Sequence, residues 1–160
     1  MNGLDINRYI VKAKKKNWRD LPKDQWWAQG YLFDNDYSGE EQRFFVGGLI
    51  IDDYVGIGCD EWDINGTNFY EIDPDTICQP VELEDKNGNV IWENDIIHCT
   101  TIDCEEYAWQ VVWDKEELGF KATNGKEDYG SEFEYLVCLE EIEIVGNIFD
   151  NPELLRGRIA

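Results

Sequence analysis

The chain has 160 residues, 42% hydrophobic and 14% aromatic, with a net charge of −21. That length suits one domain, or two small subdomains sharing a core, and the apolar content is enough to bury one. No apolar run approaches the roughly 18 residues of a membrane span, the opening lacks the apolar region of a signal peptide, and so acidic a body repels nucleic acid, whose duplex carries about one negative charge per 1.7 Å of axis.

In chain order, Arg8–Lys16 comes first; as a strand it sets Lys12, Lys14 and Lys16 on one face. Beside an acidic body, that face is expected to dock on acidic groups of its own chain or of another subunit, or to guard a sheet edge. A helical turn is expected in Leu21–Gln25, then a strand over Trp26–Phe33. Asp52–Asn68 is a polar insert. Asn87-Gly88 is the strongest hairpin signal, joining Val81–Glu84 to Val90–Trp92. The polar turn Glu93-Asn94-Asp95 feeds a strand over Ile96–Thr100. Ala108–Asp114 alternates, with Trp109, Val111 and Trp113 on one face and Gln110, Val112 and Asp114 on the other. Asp114–Gly119 turns into a strand over Phe120–Ala122. Glu134–Val145 is expected as one long strand. Finally Asp150 or Asn151 caps a short helix that opens on Pro152 and stops before Gly157.

Two blocks carry a family resemblance. Glu84–Ile97 is Glu-Asp-Lys-Asn-Gly-Asn-Val-Ile-Trp-Glu-Asn-Asp-Ile-Ile, and Ile144–Leu155 is Ile-Val-Gly-Asn-Ile-Phe-Asp-Asn-Pro-Glu-Leu-Leu. They resemble the YopX family of bacteriophage and prophage proteins, whose pattern runs D-K-N-G-K-x-I-x-E-G-D-I-V and later V-I-G-N-I-x-x-N-P-E-L-L. Arg8–Lys16, Trp26–Phe33 and Ile72–Cys78 are similar to its earlier strands. Asn94 stands where the family usually has Gly; both tolerate a left-handed backbone. Asp52–Asn68 does not align. The resemblance implies a single YopX-like domain over 1–160 and a phage setting, but no established activity.

The fold expected is mostly β, built from small β-barrel-like subdomains. Residues 1–80 would form an N-terminal β region with the insert 52–68. Residues 81–149 would form a barrel similar to SH3 or KOW modules, and 150–160 a short helix and tail. Fold-level analogy of this kind implies no activity.

Charge is unevenly spread. Residues 1–24 hold seven Lys/Arg and three Asp/Glu, a net of +4; residues 25–155 hold five and 32, a net of −27; Arg156 and Arg158 add +2. Acids recur at spacing two: Glu82/Glu84, Glu132/Glu134 and Glu141/Glu143. On strands such pairs share a face, roughly 6.6 Å apart. Aligned, they would make a negative array able to imitate a phosphate backbone. The plainer reading is a solvated outer sheet face.

Other chemistry is weakly supported. Glu61-Trp62-Asp63-Ile64-Asn65-Gly66 imitates a calcium loop, but it opens on Glu and has Ile72 at position twelve. His98, Cys99 and Cys104 form a loose group without a second pair, while Cys59, Cys78 and Cys138 stand apart, so zinc is not expected. Cys99 and Cys138 read as small core residues, and an odd count of five cysteines reads as reduced thiols of a cytoplasmic protein. Ser38 and Ser131 are not on nucleophile elbows, and His98 and Cys99 point to opposite faces of a strand.

The resulting expectation is a non-enzymatic, cytoplasmic phage accessory protein, without cofactor, metal or membrane. It would bind a basic protein partner through Glu82, Glu84, Glu132, Glu134, Glu141 and Glu143, with no direct nucleic-acid contact and with self-association open. Its sharpest form inhibits a basic, nucleic-acid-binding host or defence protein. A second reading is a small enzyme using paired carboxylates on a nucleotide or sugar, recognisable by a deep pocket with buried acids. A third is a structural or replication module presenting an aromatic surface, with Trp26, Trp27 and Trp62 as candidates.

Overall fold

The computed structural model describes residues 9–35, 41–51, 64–100, 108–123 and 133–156. The chain divides into two compact units, Met1–Ile77 and Cys78–Ala160. Strands dominate both, and every pairing is antiparallel. No helix among the described residues is long and apolar enough to cross a membrane.

The first unit is a four-stranded sheet of β1 (Val11–Lys14), β2 (Trp27–Asp34), β3 (Phe44–Ile51) and β4 (Ile64–Glu71), paired in that order. β4 takes up the tail of the polar insert and of the calcium-loop imitation; residues 52–63 lie outside the described residues. Short 3-10 turns at Trp18–Asp20 and Lys23–Gln25 link β1 to β2, close to the expected helical turn. Small and branched residues face inward: Ala13, Ala28, Val46 and Ile72 form the core, with Val11, Phe44 and Ile77 against it.

Lys14 is the unexpected core member, 1% exposed. Its Nζ lies 3.8 Å from the Trp18 ring centre and 4.4 Å from that of Trp26. An ammonium loses hydration on burial, and aromatic faces return part of that loss, about 2 kcal/mol per desolvated contact. Lys12, Lys14 and Lys16 therefore do not form an even basic face, because the middle one is enclosed.

The second unit holds a hairpin of β5 (Pro80–Glu84) and β6 (Val90–Trp92) and a five-stranded sheet. The sheet comprises β7 (Asp95–His98), β8 (Trp109–Asp114), β9 (Gly119–Thr123), β10 (Phe133–Tyr135) and β11 (Glu143–Asn147), in the order β10-β9-β8-β7-β11. Ile91, Ile97, Cys99, Trp109, Val111, Ala122, Leu136 and Ile142 form its core. The alternation expected for Ala108–Asp114 holds through Val111, and Trp113 emerges at the strand end, 40% exposed.

Four expectations need correction. The five-stranded sheet ends on β10 and β11, which do not pair with each other, so among the described residues the sheet does not close into a barrel. Glu134–Val145 is not one strand: it breaks into β10, a 3-10 turn over Leu136–Cys138 and β11, with Glu141 at φ 50°. The break is needed because the chain must pass from one edge of the sheet to the other. The terminal helix is a 3-10 segment, Pro152–Arg156, with Pro at its first position. Of the cysteines, Cys78 is free and buried, Cys138 is free but exposed rather than in the core where it was expected, and Cys99, a core residue as expected, is disulfide-bonded, contrary to the expectation of reduced thiols throughout.

Gly47 and Gly48, adjacent on β3, are sterically opposite. A Cβ on Gly47 would lie 2.0 Å from the Asn68 carbonyl oxygen and 2.7 Å from Phe69 Cδ1, while one on Gly48 would meet nothing within 4 Å. Gly47→Ala is therefore expected to destabilise the protein by about 1–3 kcal/mol, and Gly48→Ala by much less. Thermal unfolding of the two variants side by side tests this.

Candidate functional site

The carboxylates concentrate in the second unit, which has 20 Asp/Glu against 6 Lys/Arg. The β5–β6 loop, Asp85–Asn89, organises those nearest one another. Gly88, at φ 81°, supplies the left-handed step. Asp85, 6% exposed, is its anchor. Its Oδ1 accepts from the backbone N–H groups of Asn87 and Asn89, both at 2.9 Å, and its Oδ2 accepts from Ile144 N–H at 3.3 Å. Burial pushes the Asp85 carboxyl up, but hydrogen bonds from Asn89, Ile144 and Asn87 outweigh it and hold the group at about 2. It is a permanently ionised strut rather than a proton donor at neutral pH. The Lys86 N–H also donates to the Ile142 carbonyl at 2.7 Å, so the loop is fastened to the chain entering β11.

This fastening gathers Glu84, Glu141 and Glu143 around Lys86. Lys86 pairs with Glu143, a hydrogen bond that raises its pKa, with Glu141 and Asp85 adding attraction. Two shallow cavities flank the lysine. One, about 270 Å³, is lined by Leu83, Glu84, Asp85, Lys86, Val137 and Glu141 among others. The other, about 140 Å³, is lined by Lys86, His98, Cys99, Thr100, Glu141 and Glu143. Glu84 and Glu141 are exposed and Glu143 is half-buried.

The other predicted acids lie elsewhere. Glu82 is exposed on β5 but sits at φ 65° inside a register shift, so regular alternation does not carry it onto the Glu84 face. Glu134 is in β10, at the sheet edge opposite β11, paired with Ala122. Glu132 lies outside the described residues. The structure thus sets Glu84 and Glu141 on one cavity and Glu141 and Glu143 on the other, and leaves Glu82 and Glu134 on neither.

The arrangement does not supply catalysis in an obvious form. Ile97 and Cys99 turn into the core while His98 is half-buried, as the strand pattern implied. His98 Nε2 is buried without a hydrogen-bond partner. Glu93 is the carboxylate that burial pushes upward, opposed by a bond from Gln79 N–H, and it lines neither cavity. Among the described residues, no group of three or more His, Cys, Asp or Glu is placed to hold a metal ion.

Two features were not legible as sites. Lys121, 3% exposed, bonds Asp114 Oδ2 at 2.8 Å and Glu117 Oε1 at 3.1 Å, and Tyr135 donates its hydroxyl to Glu117. Hydrogen bonding from Lys121, then from the Glu117 and Glu116 N–H groups, holds Asp114 at about 2. This network locks the β8–β9 turn. The spacing Asp114, Glu117, Lys121 was its only sequence signal. Of the tryptophans proposed for an aromatic surface, Trp26 and Trp27 are half-buried around Lys14, and Trp62 is outside the described residues. The exposed aromatics of the first sheet are instead Tyr31, Phe33, Phe69 and Tyr70.

Fold and site together define a β-sheet protein with a shallow, carboxylate-rich surface notch in its second unit. The chain belongs to the YopX protein family, whose model matches residues 46–156. The match includes the Glu84–Ile97 and Ile144–Leu155 blocks and begins within β3, so Arg8–Lys16 and Trp26–Phe33 fall outside it. A search of the curated proteins finds no match.

Asp85→Ala strands several backbone N–H groups and is expected to cost about 1–3 kcal/mol. The sign with pH follows from the depressed carboxyl. Folded Asp85 titrates at about 2 against an ordinary 3.8, so its contribution is complete above that ordinary value and is lost as pH falls toward 2. Urea unfolding at several pH values should show the gap between parent and variant narrowing across that window.

Proposed function

We propose that this chain is a phage- or prophage-type accessory protein that works by binding a basic protein through the Glu84–Glu141–Glu143 notch. The family suggests the setting and leaves the biochemical role open. The observation that carries the reading is the carboxylate setting of Lys86: Glu143 holds it, Glu141 and Asp85 add attraction, and Glu84 lines one of the two cavities beside it. A surface of this kind attracts cationic groups, speeds their encounter at low salt and selects against anionic partners. In its sharpest form the partner is a nucleic-acid-binding host or defence protein whose basic surface is occupied and thereby blocked.

The enzyme reading draws less support. Both cavities beside Lys86 are small and open, and Asp85, the buried carboxylate lining the larger of them, is taken up by backbone N–H groups. A pocket built for turnover would set two acids with pKa values pushed apart.

The test is affinity capture from host lysate at low and high salt, with Glu84→Lys/Glu141→Lys as the comparison. Basic proteins should be retained at low salt, released at high salt and lost with the charge-reversed variant. Capture that ignores both salt and charge reversal would end the proposal.

A further inference from the structure

The larger cavity beside Lys86, about 270 Å³, has a second chemistry besides its acids. Leu83, Leu136, Val137, Leu139 and Ile142 give it an aliphatic wall. Leu136 and Ile142 belong to the core of the second unit, and Leu83 and Leu139 pack against that core half-buried. Val137 does neither. It is 81% exposed, the most exposed large hydrophobic side chain among the described residues. The 3-10 turn Leu136–Cys138 is the cause: Leu136 turns into the core and its neighbour is left outside. A lone exposed valine is ordinary. A valine that lines a cavity with four other aliphatic side chains extends one apolar surface into solvent, and such surfaces mark contact sites.

Acids share the lining. Glu84 and Glu141 are exposed there and Asp85 is ionised, against one cation, Lys86. The Lys86 ammonium is held by Glu143, which is not among the residues of this cavity. The local charge therefore favours a cation and opposes an anion. The volume falls below the roughly 300–1,000 Å³ of small-molecule pockets. It suits one or two side chains of a larger partner.

We infer that this cavity receives a short segment of a basic protein in which an aliphatic side chain lies within two residues of a lysine or arginine. The aliphatic group covers Val137, Leu83 and Leu139, and the cation meets Glu84 and Glu141. The inference rests on the proposed function and adds that charge alone does not choose the partner. Complementary charge sets the rate of encounter, while the apolar contact sets how long the complex lasts. A basic protein without the aliphatic neighbour is drawn to the surface and leaves it again.

Fluorescence anisotropy on the full chain tests it with three labelled peptides: Leu-Arg-Ser repeats, the same peptide with each leucine replaced by serine, and the same with each arginine replaced by glutamate. The Leu-Arg-Ser peptide should bind, and the leucine-free one about tenfold more weakly, the worth of covering one aliphatic side chain. The glutamate peptide should not bind. Val137→Ser should weaken the Leu-Arg-Ser peptide roughly three- to tenfold and leave the leucine-free one unchanged. Glu84→Gln/Glu141→Gln should weaken both arginine peptides and flatten their dependence on salt. Val145→Ser, 41% exposed and lining neither cavity, should change nothing. Equal affinity of the two arginine peptides would overturn the inference and leave the proposed function standing. Failure of both to bind at low salt would overturn the two together. Binding of the glutamate peptide, or equal loss with Val145→Ser, would also sink the inference. So would dimerisation that Val137→Ser abolishes and the peptide does not displace, because the occupant would then be a second copy. Should Val137→Ser fail to fold, the comparison of the two arginine peptides on the parent still decides.

Discussion

The candidate site of the second unit depends on one buried carboxylate. Asp85 accepts from three backbone N–H groups, two within its own loop and one at the start of β11. Where such a donor is shut off from water, leaving it unmet costs about 1–3 kcal/mol. The carboxylate therefore shapes the Asp85–Asn89 loop and sets its distance from β11 together. Lys86 follows it in sequence, so the position of the lysine, and of the three glutamates around it, is a consequence of the Asp85 bonds. Asp95 performs a related task one turn later: its Oδ2 accepts from Trp92 N–H at 2.8 Å across the turn in which Asn94 takes φ 69°. Two aspartates thus define the run from β5 to β7, which is the stretch the family pattern marks most clearly.

Charge placement follows a different logic in each unit. In the first, cations stand over aromatic rings: Lys12 on Trp27, Lys14 on Trp18 and Trp26, Lys15 on Tyr70, Arg19 on Trp18, Lys23 on Trp26 and Arg43 on Phe45. In the second, the described lysines that make ion pairs, Lys86 and Lys121, make them with carboxylates. Aromatic faces satisfy a cation without adding negative charge, although Lys16 and Arg43 also pair with Glu71, and the 8 Lys/Arg of the first unit are outnumbered by its 15 Asp/Glu. Ion pairing consumes the positive charge of the second and leaves its excess of acids outward.

Local chemistry was legible in the sequence, and topology was not. Asn87-Gly88 demands a turn wherever it lies, because Gly88 supplies a backbone that other residues resist, and the flanking strands formed close to where they were expected. The alternation around Trp109 and Val111 likewise reported one buried face. By contrast, Tyr135 to Ile144 alternates well enough to read as one strand, and nothing local signals that β10 and β11 occupy opposite edges of the sheet. The burial of Lys14 depends on rings at positions 18 and 26 reaching back across a loop. Tyr31, Phe33 and Phe69 read as core residues by type; that they face outward follows from the other face of the sheet already holding Ala13, Ala28 and Val46.

The sheet order also bears on whether the acids are more than a solubilising coat. β10 and β11 are separated by four strand spacings, about 19 Å at 4.8 Å each, so Glu134 and Glu143 do not belong to one array. A continuous negative sheet face gives way to a compact notch at one edge. Solubility alone would be served by glutamate at any exposed position. Yet Glu141 occupies a left-handed backbone at φ 50° beside that notch. A Cβ residue there costs roughly 1–2 kcal/mol that glycine would avoid. Glu82 and Leu118 carry the same kind of strain, at φ 65° and 53°, and line neither cavity, so the strain by itself assigns no task. What distinguishes Glu141 is its placement: it lines both cavities beside Lys86 and adds to the attraction on that lysine, whereas a glutamate serving only as a solubilising charge needs no such neighbour.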